Sequence, residues 1–419
     1  MTAKYADYLE WKEYQAVRYA PGTISEDVGN ALYGKFREQV TVEFPTPKTG
    51  GEWEFVPQGW VGTIPVTNDI AISIAPKAPL SNVFRMWEYA YRLKGFRFLD
   101  GVVGCQSLED FYQNLASVLA KRVLDRARRG LYRTYLGRSD ALPYVSGRLD
   151  VRRMASTPWR VNLHCAYEEH TADVEENQIL CWTLSVIARS GLCGESVVAT
   201  VRRAYRELLG CAAPVPFLPE ACVGRLYNRL NEDYEPLHGL CRFFLEHRGP
   251  HHAHGERAMM PFLVNMARLY ELFVAEWLRL NLPPHVELKA QHTLRFGDEG
   301  ELEFRVDLLL VERSSGKPLC VLDTKYKVHA SPTSSDIHEV RSHADALGCT
   351  EAILVYPVDL AKPLDATAGS IRVRTLSFRT DGDLDAAGES FLGALMLAGG
   401  GSGNLEVNSD VSAGAAWAG

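Results

Sequence analysis

The chain has 419 residues, of which 46% are hydrophobic and 23% are charged. This composition is typical of an ordinary globular protein and excludes a disordered, collagen-like or fibrous chain. At this length, two or three domains are expected rather than one core. The formal net charge of −7 also argues against a protein that binds DNA through its whole surface, because such proteins are usually basic.

Cysteine usage and hydropathy bear on the cellular compartment. The nine cysteines are scattered and form no Cys-x-x-Cys pair, which argues against a disulfide framework and against a structural zinc site. No window approaches the roughly 18 uninterrupted apolar residues of a membrane helix. Residues 1–15 lack the apolar run of a signal peptide. We therefore expect a cytoplasmic protein that makes no contact with a membrane.

The N-terminal region, residues 1–100, is predicted to be rich in β-structure. The runs at 61–66 and 70–75 have the composition of two short strands joined by a turn. A helix is predicted to follow over 83–93, with apolar residues on one side. Residues 1–50 show no clear pattern. We expect an α+β arrangement for this region.

Residues 101–250 are predicted to form a mainly helical middle region. A long helix is expected over 107–136, with Ser107 as its N-cap, and the pattern of 174–246 is helical. Residues 121–160 contain eleven Lys and Arg residues against three Asp, which is a local excess of positive charge in an acidic protein. This basic stretch could contact phosphates, form a solvated helix face or dock an acidic partner, and the sequence leaves these alternatives open.

Residues 256–397 are predicted to form an α/β domain. A linker-like stretch precedes it at 248–255, and a tail rich in Gly, Ser and Ala, 398–419, is expected to be flexible. The predicted elements of the domain are a helix at 261–282, strands at 301–311, 318–326, 351–356 and 371–378, and a helix at 335–347. The fold class expected for the whole chain is α/β, with a C-terminal mixed sheet flanked by helices.

One segment of this domain has the pattern of a hydrolytic site. Asp307 lies within one predicted strand, and Asp323 and Lys325 lie two residues apart in the next, so these two point to the same face. Two carboxylates and an ammonium group then converge on one face of a hairpin. This arrangement suits phosphodiester hydrolysis, because Asp307, Asp323 and the carbonyl oxygen of Thr324 offer hard oxygen ligands to Mg²⁺. Lys325 can orient the attacking water and offset charge on the transition state.

A solvated strand edge is the alternative interpretation of these charges. The surrounding sequence favours the site, because Asp323 and Lys325 interrupt the apolar run 319–322, and a buried charge without a ligand or partner is costly. Glu271, in the helix before the sheet, is the candidate for a third acid, either as a metal ligand or through a water. The candidate catalytic residues are therefore Asp307, Asp323, Lys325 and Glu271.

These residues also resemble a known family. The pattern Asp307…Asp323-Thr-Lys325 resembles the PD-(D/E)XK nuclease signature. The run 321–327 resembles the form found in the McrC family, the nuclease subunits of McrBC-type modified-cytosine restriction systems. Further stretches resemble this family in the same order along the chain, at residues 60–64, 86–90, 147–150, 167–180 and 266–273. Their common order makes the resemblance specific.

The chain departs from the family pattern at two places. Val306 precedes the first aspartate where the family usually has proline, which is not a ligand. The helix that follows the Asp-Thr-Lys segment usually carries a Gln and a Tyr near the active site, and here Glu339 and His343 are predicted to occupy those positions. Glu339 could add negative charge to the metal site.

The resemblance implies a PD-(D/E)XK-like nuclease domain that cuts DNA with Mg²⁺, or with Mn²⁺ in its place. It also implies a hexameric, McrB-like AAA+ GTPase partner that recognises DNA and translocates. The McrC-like chain would dock on that partner through its N-terminal region, stimulate nucleotide hydrolysis and cut, and assembled complexes could dimerise. The chain contains no GxxxxGK[ST] P-loop, so it is not itself the motor.

Two other functions stay open from the sequence. The chain could be a non-catalytic adaptor that activates a partner GTPase and keeps a nuclease fold only as scaffold. It could also be a stand-alone repair-type nuclease that needs no partner.

Overall fold

The computed structural model describes residues 7–67, 70–93, 107–156, 159, 161–247, 262–296, 302–327 and 331–397. The described residues divide into two compact units. The first lies within Met1–Leu80 and Tyr91–Asn265, and the second lies within Ser81–Ala90 and Met266–Gly419. The predicted linker and the predicted tail both lie outside the described residues. The boundaries expected near residues 100 and 250 remain predictions.

The N-terminal part of the first unit contains two small sheets. The elements up to residue 90 are β1 (Asp7–Lys12), β2 (Val17–Tyr19), α1 (Glu26–Lys35), β3 (Val40–Glu43), β4 (Trp53–Pro57), β5 (Trp60–Pro65), β6 (Ile70–Ala75) and α2 (Leu80–Ala90), and all of α2 except Leu80 belongs to the second unit. β5 and β6 pair antiparallel, which confirms the predicted hairpin, and β1 pairs with β6 in parallel. β2, β4 and β3 form a second sheet. The two sheets pack through aromatic rings, since Trp11 stacks on Phe55 at 5.2 Å between centroids.

The rest of the first unit is helical with one further sheet. Its elements are α3 (Leu108–Arg129), β7 (Thr134–Leu142), β8 (Arg148–Leu149), α4 (Val151–Ser156), β9 (Leu163–Thr171), α5 (Glu175–Ser190), α6 (Glu195–Leu209), α7 (Tyr234–Glu246) and β10 (Phe262–Asn265). The predicted N-cap is confirmed, because Ser107 Oγ accepts a hydrogen bond from the Asp110 backbone N–H at 3.1 Å. The helix ends at Arg129 rather than at 136, since the chain from Thr134 onward pairs with β9.

The second unit is built on a six-stranded mixed sheet with the order β11-β12-β13-β14-β16-β15. Its elements after residue 265 are α8 (Met266–Asn281), β11 (Val286–Phe296), β12 (Leu302–Glu312), β13 (Pro318–Thr324), α9 (Ser334–Leu347), β14 (Glu351–Tyr356), β15 (Asp365–Ala368), β16 (Ile371–Ser377) and α10 (Leu384–Met396). β11, β12 and β13 pair antiparallel, whereas β13, β14 and β16 run parallel. The predicted α/β class is confirmed.

Helices cover this sheet and fix its core. Val340 and Ala344 of α9 pack with Val321 and Leu354 of the central strands in one buried cluster. α8 is tied to the chain after β16, because Tyr270 Oη donates to the carbonyl oxygen of Phe378 at 3.1 Å. The packed sheet therefore holds β12 and β13 in place, and with them the side chains of the site that these strands carry.

The predicted helix at 261–282 is shorter in the structure than in the sequence analysis. It begins at Met266, because Phe262–Asn265 form β10 and pair antiparallel with β5. An apolar run as short as this one fits a strand as well as a helix. Elsewhere in the described part of the chain, no helix is long and apolar enough to span a membrane.

Candidate functional site

The first feature of the site is a pair of aspartates on neighbouring strands. β12 and β13 pair antiparallel, the ladder ends with Leu308 opposite Leu322, and Asp307 and Asp323 are the next residues on the two strands. The backbone N–H and the hydroxyl of Thr324 both donate to Asp307 Oδ2, at 3.0 and 3.1 Å. The two carboxylates therefore face each other on one side of the hairpin, as the sequence predicts.

Asp323 is the more deeply buried of the two acids. Only 5% of the residue is exposed, and burial followed by repulsion from Asp307 raises the pKa of its carboxyl to about 8. Oδ2 of Asp323 lies 2.7 Å from Lys325 Nζ, but this oxygen has no hydrogen-bond partner of normal geometry among the described residues. A buried oxygen without such a partner is a position at which a bound ion can supply the missing contact.

Lys325 is held between carboxylates. Its Nζ lies 2.9 Å from Glu339 Oε2 on α9 and 4.0 Å from Asp336 Oδ1. Burial alone would lower the pKa of this ammonium group, but the carboxylates of Asp323 and Glu339 raise it above its ordinary value. The raised pKa keeps Lys325 protonated at neutral pH.

A second lysine and a buried acid support this arrangement. Lys327 Nζ lies 2.9 Å from Asp336 Oδ1, and Asp336 is 3% exposed in the first turn of α9. Burial would raise the pKa of Asp336, but Lys327 and the Thr333 hydroxyl lower it below its ordinary value. This ion pair ties the start of α9 to the end of β13, so it helps to hold Glu339 beside Lys325.

Tyr356 completes the polar lining at the end of β14. Its hydroxyl is buried and has no hydrogen-bond partner among the residues that the structure describes. Burial, followed by the negative charge of Asp336, raises its pKa to about 12. It therefore remains a neutral phenol near Asp336 and Lys325.

Glu271 lies on α8 and is held by two side chains. Both of its oxygens lie 3.0 Å from Arg268 Nη1, and Oε1 accepts a hydrogen bond from Gln291 Nε2 at 2.7 Å. Burial, followed by repulsion from Asp307, raises the pKa of the Glu271 carboxyl. The structure thus places Glu271 on the Asp307 side of the site.

The donors present fit a divalent cation bound mainly through two carboxylates and water. Mg²⁺ commonly uses one or two protein carboxylates and keeps several waters. Asp307 and Asp323 supply such a pair, and their mutual repulsion would be relieved by a cation. Among the described residues, no group of three or more His, Cys, Asp or Glu side chains is arranged to hold a metal. The carbonyl of Thr324 as a third ligand remains a prediction.

Several side chains of the site were not singled out from the sequence, among them Lys327, Tyr356 and Gln291. Lys327 follows Lys325 at a spacing of two, a weak sign that both belong to one face. Tyr356 and Gln291 lie on β14 and β11, and only the pairing of these strands with β13 and β12 brings them near the aspartates. No local sequence signal distinguishes the last two.

The basic stretch 121–160 lies in the first unit and is largely exposed. Part of its charge is neutralised within the unit, because Arg126 pairs with Asp233 at 3.1 Å and Arg138 pairs with Glu169 at 3.0 Å. A cavity of about 960 Å³ in the same unit is lined by aromatic rings, including Tyr19 and Trp53, and by a single acid. Neither feature has the paired carboxylates of a hydrolytic metal site.

Comparison with known proteins assigns the family. A family model described as McrBC 5-methylcytosine restriction system component matches residues 56–357, which is more than half of the chain. A refined half-complex from the tetradecameric assembly of Thermococcus gammatolerans McrB AAA+ hexamers with bound McrC is similar in fold. Its identity is 16% and its TM-score 0.51, and the match covers 93% of this chain and 100% of that chain.

A second solved structure, the cryo-EM structure of the Thermococcus gammatolerans McrBC complex, matches with 18% identity and a TM-score of 0.42. That match covers 66% of this chain and 88% of that chain. No curated protein matches the chain. The resemblance inferred from the sequence is confirmed, and the chain belongs to the family of McrBC 5-methylcytosine restriction system components.

Proposed function

We propose that the chain is the DNA-cleaving subunit of a McrBC-type restriction complex, and that its second unit is a PD-(D/E)XK-like nuclease dependent on Mg²⁺ or Mn²⁺. The observation that supports this most is the buried Asp323 carboxyl, which lies beside the partly buried Asp307 and has the Lys325 ammonium 2.7 Å from its Oδ2. Holding two carboxylates together where one has lost its water is costly unless they serve a ligand.

Each residue has a distinct part in the proposed reaction. Asp307 and Asp323 would hold the metal ion, which when bound supplies polarisation of the phosphate and a more acidic water. Lys325, protonated and fixed by carboxylates, offsets the negative charge that grows on the phosphate in the transition state. Glu271, on the Asp307 side, supports the site through the water that surrounds the ion.

The decisive experiment replaces Asp323 by Asn, which keeps its size and removes its charge. We expect metal-dependent cleavage of modified-cytosine DNA, assayed with the AAA+ partner, to fall about a thousandfold or more. Asp345→Asn on the exposed side of α9 is the matched control and should leave cleavage unchanged. Cleavage at the native rate in Asp323→Asn would refute the proposed function.

The proposed partner is a hexameric AAA+ protein, because the similar solved structure contains McrB AAA+ hexamers with bound McrC. That the partner hydrolyses GTP is what the resemblance to the McrC family implies. On this proposal the complex acts in the cytoplasm, and the N-terminal region 1–100 docks on the partner and stimulates its hydrolysis of GTP. Two such complexes could associate. Co-purification with the AAA+ product of an adjacent gene, and GTP hydrolysis measured with and without the chain, test this. A chain that cuts fully without a partner would support the stand-alone nuclease instead.

A non-catalytic adaptor is the second candidate. The observation in its favour is Glu339, which replaces the usual family Gln and engages Lys325 at 2.9 Å. It predicts that the native chain stimulates GTP hydrolysis fully but cuts no DNA, and that Lys325→Ala leaves phage restriction intact.

A further inference from the structure

The backbone of β11 is irregular at the position facing Asp307. The ladder pairs Ala290 with Leu308 and His292 with Val306, and it passes over Gln291 and Asp307. Gln291 has a φ of +52°, in the left-handed region that L side chains rarely adopt. Such a conformation is costly in a strand and persists only where the surrounding structure imposes it.

Two other non-glycine residues of the described chain have positive φ, Tyr14 and Arg92, and both lie in turns outside strands. Turns commonly accommodate such angles, whereas a strand interior does not. The strain at Gln291 therefore needs a local cause within β11 and its neighbours.

The side chain of Gln291 supplies that cause. Its Nε2 donates to Glu271 Oε1 at 2.7 Å, and its Oε1 accepts from Arg305 Nη2 on β12. The orientation of the amide follows from these partners. A reversed amide would place its oxygen against the Glu271 carboxylate and its NH₂ against the Arg305 guanidinium. Gln291 thus bridges α8 and β12 at the level of Asp307.

The Gln291 amide donates to the Glu271 carboxylate, whose charged form its surroundings destabilise. Glu271 is buried and repelled by Asp307, and the bonds from Arg268 and Gln291 oppose both effects. Arg268 lies one helical turn earlier on the same helix, so its bonds to Glu271 join two residues of α8. The Gln291 amide joins the Glu271 carboxylate to β11 and, through Arg305, to β12.

We infer that Gln291 is a positioning residue of the proposed DNA-cleaving centre, and that its amide holds the Glu271 carboxylate on the Asp307 side at the expense of a strained backbone. This inference rests on the proposed function for its catalytic meaning. It assigns to β11 a part in the acidic site that neither strand pairing nor the Asp-x-Lys pattern indicates.

Gln291→Gly separates the strain from the amide, because glycine adopts the left-handed conformation without cost and has no side chain. The full-length chain is heated in metal-free buffer and then with increasing Mg²⁺. We expect Gln291→Gly to unfold at the native temperature or above it without metal. The Mg²⁺ concentration for half-maximal thermal stabilisation should rise about tenfold, the lower end of the effect of losing an outer hydrogen-bond partner at a metal site, and DNA cleavage should fall to match.

The matched control is Lys289→Gly, an exposed residue of the same strand. It should lower the unfolding temperature and leave the Mg²⁺ requirement unchanged. Gln291→Met, which keeps the strain and the length but lacks the amide, should raise the Mg²⁺ requirement like glycine, so the test holds even if Gln291→Gly fails to fold.

An unchanged Mg²⁺ requirement in Gln291→Gly or in Gln291→Met would overturn the inference. A native chain that Mg²⁺ stabilises but that cuts no DNA would refute the proposed function alone, because the shift in Mg²⁺ requirement would still decide the role of Gln291. A native chain that Mg²⁺ does not stabilise at all would overturn both.

Discussion

The hairpin of β12 and β13 in the second unit, which carries Asp307, Asp323 and Lys325, and the basic stretch 121–160 of the first unit are both conspicuous in the sequence. They differ in how far their charged side chains are exposed to solvent. Asp323 is buried, Lys325 is largely buried, and both lie among further carboxylates. Arg128 and Arg138 are exposed and pair with Asp125 and Glu169 at the surface. The two regions contain similar charges, and they differ in how much water those charges have lost.

This difference indicates which charges carry information about function. An exposed ion pair contributes about 0–1 kcal/mol to stability, so its presence says little about function. Breaking a buried pair costs about 3–5 kcal/mol because the remaining charge is left uncompensated. A buried pair is therefore kept only where something offsets its cost, and a bound metal ion is one such compensation.

The strongest challenge to this comparison is to remove one lysine and one arginine in parallel. Lys325→Met should lower cleavage about a hundredfold or more, because a fixed charge at the phosphate is lost. It should also lower the free energy of unfolding by about 3 kcal/mol, since the buried Asp323 carboxyl loses its ammonium partner. Urea denaturation at pH 7 measures the second effect.

Arg138→Met in the first unit is the counterpart. Its ion pair is exposed, so the free energy of unfolding should change by less than about 1 kcal/mol. Equal destabilisation by the two substitutions would show that the difference in burial does not determine how much these charges contribute to stability.

The sequence reveals the hairpin because its charges interrupt an otherwise apolar strand, and this pattern survives without tertiary information. β12, β13, β14 and α9 lie within about two residues of their predicted bounds for the same reason, since each has a strong apolar period. β15 could not be predicted, because all four of its residues are exposed and it has no apolar side. Gln291 and Tyr356 escape detection because their roles arise only from contacts between distant elements.

Burial should also control how the free energy of unfolding depends on pH. His238 in the first unit, close to the basic stretch, allows a test of this expectation. Its ring lies 5.8 Å from that of Tyr234, over which Arg126 stacks. Tyr227 Oη and the Glu176 carbonyl oxygen lie 2.8 and 3.0 Å from its two nitrogens. Burial lowers the pKa of His238 to about 4, so it is neutral in the folded chain at neutral pH.

The sign of the effect follows from linkage. The folded pKa of His238 lies below its unfolded value of about 6.5, so the unfolded chain binds the extra proton between pH 6.5 and 4. Its stabilising contribution is therefore complete above pH 6.5 and is lost as the pH falls towards 4, by on the order of 3 kcal/mol. Urea midpoints of the native chain and of His238→Phe across this range measure the loss.

His238→Phe should be less stable at pH 7 but should vary less with pH than the native chain. His170→Asn, at an exposed position of β9, should leave the native pH dependence unchanged. A pH dependence in His238→Phe as steep as the native one would mean that other groups cause it.

The smallest expected effect concerns Glu339, which is half-exposed although it contacts the buried Lys325. Because solvent screens this carboxylate, Glu339→Gln should change the free energy of unfolding by less than about 1 kcal/mol. The neutral amide no longer competes with Asp323 for the ammonium group, so more of the positive charge of Lys325 is available to the phosphate. Cleavage should therefore rise, by a few-fold, with Glu389→Gln on α10 as an unchanged control. A fall in cleavage would show that Glu339 itself serves the metal site. A half-exposed charge would then contribute to function as the largely buried Lys325 does, and burial alone would not distinguish functional charges from others.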